Sequence, residues 1–74
     1  MKEMLIKLET IMDVQKFVAI AERSSFPIDL TSGRYTVDAK SLMGIFSLDL
    51  MQPIKLIAHG DDTELFAQLE KFKA

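Results

Sequence analysis

The chain has no cysteine, no tryptophan, one histidine, two prolines and three glycines among its 74 residues. Without cysteine, no disulfide and no thiolate metal site can staple so short a chain. The lone His59 has no repeated histidine or carboxylate spacing around it, so it is not a metal-ligand set. Neither metal nor cofactor is expected. Stability must come from hydrophobic burial, which a domain this small supplies only by a modest margin. A hydrophobic content of 49% is consistent with that. No apolar run approaches the roughly 20 residues of a membrane span. The first residues lack the basic, apolar, small-residue order of a signal peptide. The charge balance is −2, and Lys and Arg are scattered rather than gathered in a stripe, which removes the electrostatic footprint of a nucleic-acid binder. With no linker, repeat or low-complexity tract, residues 1–74 read as one domain. The expectation is a cytoplasmic protein that binds neither nucleic acid nor membrane.

What is present is periodic. Residues 4–8 (MLIKL) put Met4, Ile6 and Leu8 on one face of a strand. Val14, Phe17, Val18 and Ala21 recur at helical spacing, which predicts a helix over about 12–24; Asp13, or Thr10 before it, can cap it. Residues 26–30 and 35–39 alternate apolar and polar around the turn Thr31-Ser32-Gly33-Arg34, which reads as a hairpin. Pro27 suits a strand start or an edge. Ser41 opens a short apolar helix to about Leu48, which Gly44 weakens intrinsically. Residues 54–59 form a last strand with Ile54, Leu56 and Ala58 inward, ended by Gly60. Asp61 and Glu64 fit a capping box for a final helix whose inner face carries Leu65, Leu69 and Phe72, with Lys71 and Lys73 near its C-terminus, as the helix dipole favours.

The order is therefore βαββαβα. Lys7, Asp29, Thr36, Asp38 and Lys55 occupy alternate strand positions, as in an antiparallel sheet with one wet face. Helices covering the other face make a two-layer α+β domain.

This order, the Phe17-Val18 pair and residues 40–48 (KSLMGIFSL) resemble the HPr family, the histidine-containing phosphocarriers of the bacterial sugar phosphotransferase system. The 40–48 segment is close to the K-S-[IL]-M-G-x-x-S-L pattern of Gram-positive members, and weaker similarity extends over nearly the whole chain. The resemblance implies an HPr-like open-faced sandwich: a four-stranded antiparallel sheet of order 1-4-2-3 with three helices on one face. It also implies a protein that is not an enzyme, with protein partners among phosphotransferase-system or catabolite-control proteins and an HPr-type kinase.

The family carries its phosphate on a histidine in a G-[LI]-H-x-R-P motif before the first helix. Counting back from Phe17-Val18, Thr10 falls at the histidine, Met12 at the arginine and Asp13 at the proline. The loop also looks about three residues short, and the turn glycine, Gly33, comes one place early. A carrier site needs an imidazole nucleophile, positive charge, and free N–H groups at a helix start to hold the phosphate. Only the helix start remains, and Glu9 and Asp13 bring charge of the wrong sign. His59 reads as an exposed residue at the end of the last strand.

Ser41 reads as an N-cap and also matches the serine that a kinase phosphorylates in Gram-positive relatives. A phosphate at a helix start is accepted by dipole and N–H groups, and Lys40 is a neighbouring cation. Ile45 and Leu48 share a core-facing stripe. Leu42, Met43 and Phe46 lie on another face, where clustered large apolar side chains mark an interaction patch. The expectation is a non-phosphocarrier, regulatory homologue that acts through this patch, with Ser41 as a phosphorylation switch. The alternatives are a genuine phosphocarrier and a divergent paralogue with an unrelated partner.

Overall fold

The computed structural model describes all residues 1–74. The chain forms four strands, β1 (Lys2–Ile6), β2 (Ile28–Ser32), β3 (Tyr35–Asp38) and β4 (Ile54–Ala58); buried residues alternate along β2 and β4, while Leu5 of β1 and Tyr35 of β3 are exposed. The strands form one sheet of order β1-β4-β2-β3 in which every neighbouring pair is antiparallel. Helices α1 (Ile11–Ala21), α2 (Leu42–Phe46) and α3 (Thr63–Leu69) pack on one face, and a 3-10 turn (Glu70–Phe72) follows α3. The expected sandwich is the one observed.

The core lies between the layers. Ile6, Ile28, Leu30, Ile54 and Leu56 from the sheet meet Val14, Phe17, Ile45 and Leu69 from the helices, all fully buried. The Phe17 and Phe72 rings meet edge to face, 5.7 Å apart at 85°, a geometry worth about 0.5–1.5 kcal/mol beyond burial. The open face carries the ion pair Lys55–Glu3 at 3.1 Å.

Several element boundaries differ from the sequence reading, each for a tertiary reason. β1 spans Lys2–Ile6 rather than 4–8, although Ile6 and Leu8 are buried as expected. Beyond Ile6 the chain turns to the C-terminal tail: Lys7 N–H donates to the Phe72 carbonyl (2.7 Å), and Ala74 N–H donates to the Leu5 carbonyl (2.9 Å). Helix α1 stops at Ala21 rather than 24. The buried Ser24 side chain donates to the Phe26 carbonyl (2.7 Å) and accepts from its N–H (3.1 Å), closing a turn that delays β2 to Ile28. Helix α2 ends at Phe46, short of Leu48, where the Ser47 hydroxyl donates to the Gly44 carbonyl. Asp62, not Asp61, caps α3, accepting from Leu65 N–H at 3.2 Å. Phe72 belongs to the 3-10 turn, and Lys73 leaves the helix to bridge with Ile6.

Two glycines are explained by different needs. Gly33 takes φ +59° in the hairpin turn, a region open to glycine at no steric cost. Gly60 has no such backbone: a Cβ there would lie 2.3 Å from Phe26 Cδ2, so glycine makes room for that ring.

Candidate functional site

The end of the molecule that would carry a phosphate is the start of α1. Thr10 is its N-cap, in extended conformation. Its Oγ1 accepts from Asp13 N–H at 3.0 Å. The Asp13 carboxylate folds back and accepts from Thr10 N–H (3.3 Å) and Glu9 N–H (3.2 Å) through one oxygen. The Thr10 N–H is one of the donors a helix start leaves unpaired, and a side-chain carboxylate already takes it together with the Glu9 N–H. Of the two residues the sequence left open as caps, Thr10 is the cap and Asp13 is its reciprocal partner. The nearby cation is spent elsewhere, because Lys7 Nζ donates to the Met51 carbonyl at 2.9 Å. The two arginines, Arg23 and Arg34, lie past the end of α1 and in the β2–β3 turn.

Ser41 is the N-cap of α2, its Oγ accepting from Gly44 N–H at 3.1 Å. It is partly exposed. A Cβ on Gly44 would stand 3.1 Å from that oxygen and 3.3 Å from Val37 Cβ. The glycine that weakens the helix therefore also leaves the serine hydroxyl its space. Lys40 Nζ reaches the Ser24 carbonyl (3.1 Å), tying the α2 entrance to the end of α1, while Lys40 N–H donates to Asp38 Oδ1 (2.8 Å).

Ile45 is fully buried and Leu48 nearly so, as their spacing predicts, whereas Leu42, Met43 and Phe46 are exposed, Met43 at 83%. Sequence spacing within one helix did not reveal that Ile11 and Met12, at the start of α1, and Met51 are exposed too. The Lys7–Met51 bond holds the loop after α2 against the end of β1, and α1 packs against α2. Exposed apolar side chains thus stand on both helices.

These elements match known proteins. The family model described as "PTS HPr component phosphorylation site" matches residues 13–74, beginning just after the Thr10 region. The crystal structure of HPr-C-His from Thermoanaerobacter tengcongensis superposes with a TM-score of 0.80 at 33% identity, covering 96% of this chain and 89% of that one. The chain belongs to the HPr family. The phosphocarrier protein HPr from Bacillus anthracis str. Ames is similar at 28% identity and a TM-score of 0.72, covering 97% of this chain and 94% of that one. No curated protein sequence matches the chain.

HPr-family membership makes the histidine question concrete. His59 follows β4, whose first residue Ile54 pairs with Ile6 beside the α1 entrance and whose last, Ala58, pairs with Lys2. Five residues at ~3.3 Å each separate Ile54 from His59, roughly 17 Å along the sheet. The imidazole is exposed as expected, but it has a partner that the sequence did not announce: Nε2 lies 2.8 Å from Asp29 Oδ2. A carboxylate only accepts, so Nε2 carries the proton. Strand alternation puts both residues on the open face, yet only the β2–β4 register brings them together. No helix is long and apolar enough to cross a membrane.

Proposed function

We propose that this HPr-family protein acts by binding a protein partner rather than by carrying a phosphoryl group. The observation that carries this reading is the Thr10–Asp13 capping box. At the position that the resemblance assigns to the carrier histidine stands a threonine whose oxygen is engaged in capping. The N–H groups of Glu9 and Thr10 at this helix start hold the Asp13 carboxylate. A phosphate dianion placed there would meet the Asp13 and Glu9 carboxylates, with no arginine to compensate. A threonine ester would in any case lack the lability that lets a phosphohistidine pass its group on.

The contact surface is Leu42, Met43 and Phe46, widened by Ile11, Met12 and Met51. Methionine and phenylalanine suit adaptable contacts. Ser41 at the edge of this surface is the phosphorylation switch, acted on by an HPr-type kinase, and the partners are phosphotransferase-system or catabolite-control proteins of a bacterial cytoplasm. Incubation with phosphoenolpyruvate and the first enzyme of the system should leave the protein unmodified by intact mass. An acid-labile phosphate would overturn the reading and move attention to His59, whose Asp29 partner leaves Nδ1 unprotonated in the neutral ring. Incubation with kinase and ATP should add one phosphate that Ser41→Ala abolishes.

A further inference from the structure

Helices α1 and α3 leave an open groove of about 550 Å³ between them, on a different part of the surface from Ser41 and its apolar neighbours. Its rims carry Lys16 from α1, Arg23 from the turn that follows α1 and Lys71 from the turn after α3, and its floor is Ala19, Ile20 and Ala67. The two ion pairs of the molecule are Lys55–Glu3 and His59–Asp29, so none of these three cations has an acidic partner. Lys71 instead sits 5.4 Å from the Phe72 ring centroid. Three cations without an acidic partner line one groove in a chain of net charge −2; Arg23 and Lys71 lie near helix ends that favour a cation, whereas Lys16 in the middle of α1 has no such local reason.

We propose that this groove docks an acidic amphipathic helix of a partner protein. Lys16 stands on α1, and Arg23 lies two residues past its last turn, seven residues further along the chain. Between them the helix presents Ala19 and Ile20. Carboxylates along one face of a partner helix can meet Lys16 and Arg23 in turn, with apolar side chains between them to lie on the floor. Ala19 and Ala67 are exposed and carry no side chain beyond Cβ, so a third helix can approach as closely as small contact residues allow. Arg23 offers a planar fork to a carboxylate, and Lys16 and Lys71 offer point charges. Past Arg23 the surface turns acidic at Asp62 and Glu64, which gives the occupant a polarity: its acidic residues lie along Lys16, Lys71 and Arg23, and its end beyond Arg23 is neutral or basic. A small anionic metabolite fits less well, because such ligands are bound in concave sites that cover most of their surface, whereas this groove is open and its cations stand on exposed stems.

The proposal is independent of whether Ser41 or the α2 patch functions as argued above. Its test is an amide NMR titration of the full chain, at low salt, with an alanine-based helical peptide carrying two glutamates two turns apart and leucine between them. The expected result is saturable shifts at Lys16–Arg23 and Ala67–Lys71. Lys16→Glu combined with Lys71→Glu should weaken binding at least about tenfold, since like charges then face each other. Ala67→Phe, which fills the groove without changing charge, should do the same while leaving the remaining spectrum intact. Lys55→Gln, on the opposite face of the sheet, should change affinity less than about twofold. Shifts centred on Leu42–Phe46, or unchanged binding by Ala67→Phe, overturn the proposal. So does full displacement of the peptide by tripolyphosphate at equal concentration, which would assign the groove to small anions. Concentration-dependent shifts at the same residues without peptide would make the occupant a second copy of the chain and overturn it equally.

Discussion

Thr10 and Asp13 cap each other: the threonine hydroxyl accepts from the aspartate N–H, and the aspartate carboxylate accepts from the threonine N–H. The same carboxylate oxygen also takes Glu9 N–H. One short side chain thus holds a carboxylate at the α1 entrance, where it would repel a phosphate. Thr10→Ala and Asp13→Ala should each lower stability by about 0.5–2 kcal/mol in urea unfolding. Because the two bonds form one box, the double variant should lose less than the sum of the single ones, with a coupling of about 0.5 kcal/mol or more. Additive losses would mean that the two bonds act separately.

A second prediction concerns phosphoryl acceptance. Thr10→His alone should not restore it, since Asp13 still occupies the helix start and repels a dianion. Intact mass after incubation with phosphoenolpyruvate and the first enzyme reads this directly. A labile phosphate on Thr10→His would show that the missing imidazole, rather than the Asp13 carboxylate at the helix start, is what limits the site.

Phe26 and Gly60 test close packing. A methyl group at position 60 falls within 2.4 Å of two ring carbons of Phe26, and that ring stacks at an angle on Phe66, 6.3 Å away. Gly60→Ala should cost about 1–3 kcal/mol by overpacking. Adding Phe26→Leu should recover part of that cost, because the clash is with this side chain and not with backbone. No recovery would place the strain in the backbone of the turn.

How much of this was legible in the sequence depends on the range of the interaction. Alternation identified all four strands and their inward residues, because Ile6, Leu30, Ile54, Leu56 and Ala58 are inward for a local reason. The strand order came from the family resemblance; no residue of β1 declares that it pairs with β4. The missed boundaries lie where distant chain segments intervene, as at β1, whose end is set by Phe72 and Ala74. Asp61 and Asp62 are equivalent as caps by composition, and only the backbone path selects Asp62. Thr10 and Ser41 could be read as caps because capping is local. The Asp29–His59 pair and the groove under Lys16 and Lys71 could not, because register and helix packing create them.

Ser41 and Gly44 make a further prediction. Alanine is the better helix former by about 1 kcal/mol, so Gly44→Ala would ordinarily stabilise an exposed helix. Here its Cβ presses on Ser41 Oγ and Val37, and the expected net gain in thermal unfolding is absent or negative. Ser41→Ala should cost about 1 kcal/mol through the lost cap. Gly44→Ala placed on Ser41→Ala should then gain stability relative to the single Ser41→Ala chain, since part of the crowding has gone. If Gly44→Ala stabilises the parent chain fully, the cap geometry tolerates a side chain and the glycine has no role in keeping Ser41 clear.

Met43 separates folding from recognition. It is 83% exposed on α2, while Ile45, two residues on, is fully buried. Met43→Asp should therefore shift unfolding stability by no more than about 0.5 kcal/mol. If Leu42, Met43 and Phe46 form the contact surface for the kinase that modifies Ser41, the same change should raise KM for the protein substrate about tenfold and leave kcat little altered. A contact held equally before and during phosphoryl transfer contributes uniform binding, and its loss appears in KM. Ile45→Ala gives the contrast: it should destabilise the fold by about 2–5 kcal/mol without changing KM for the molecules that remain folded. Equal KM values for Met43→Asp and the parent chain would remove the α2 patch from the recognition surface, whatever happens at Ser41.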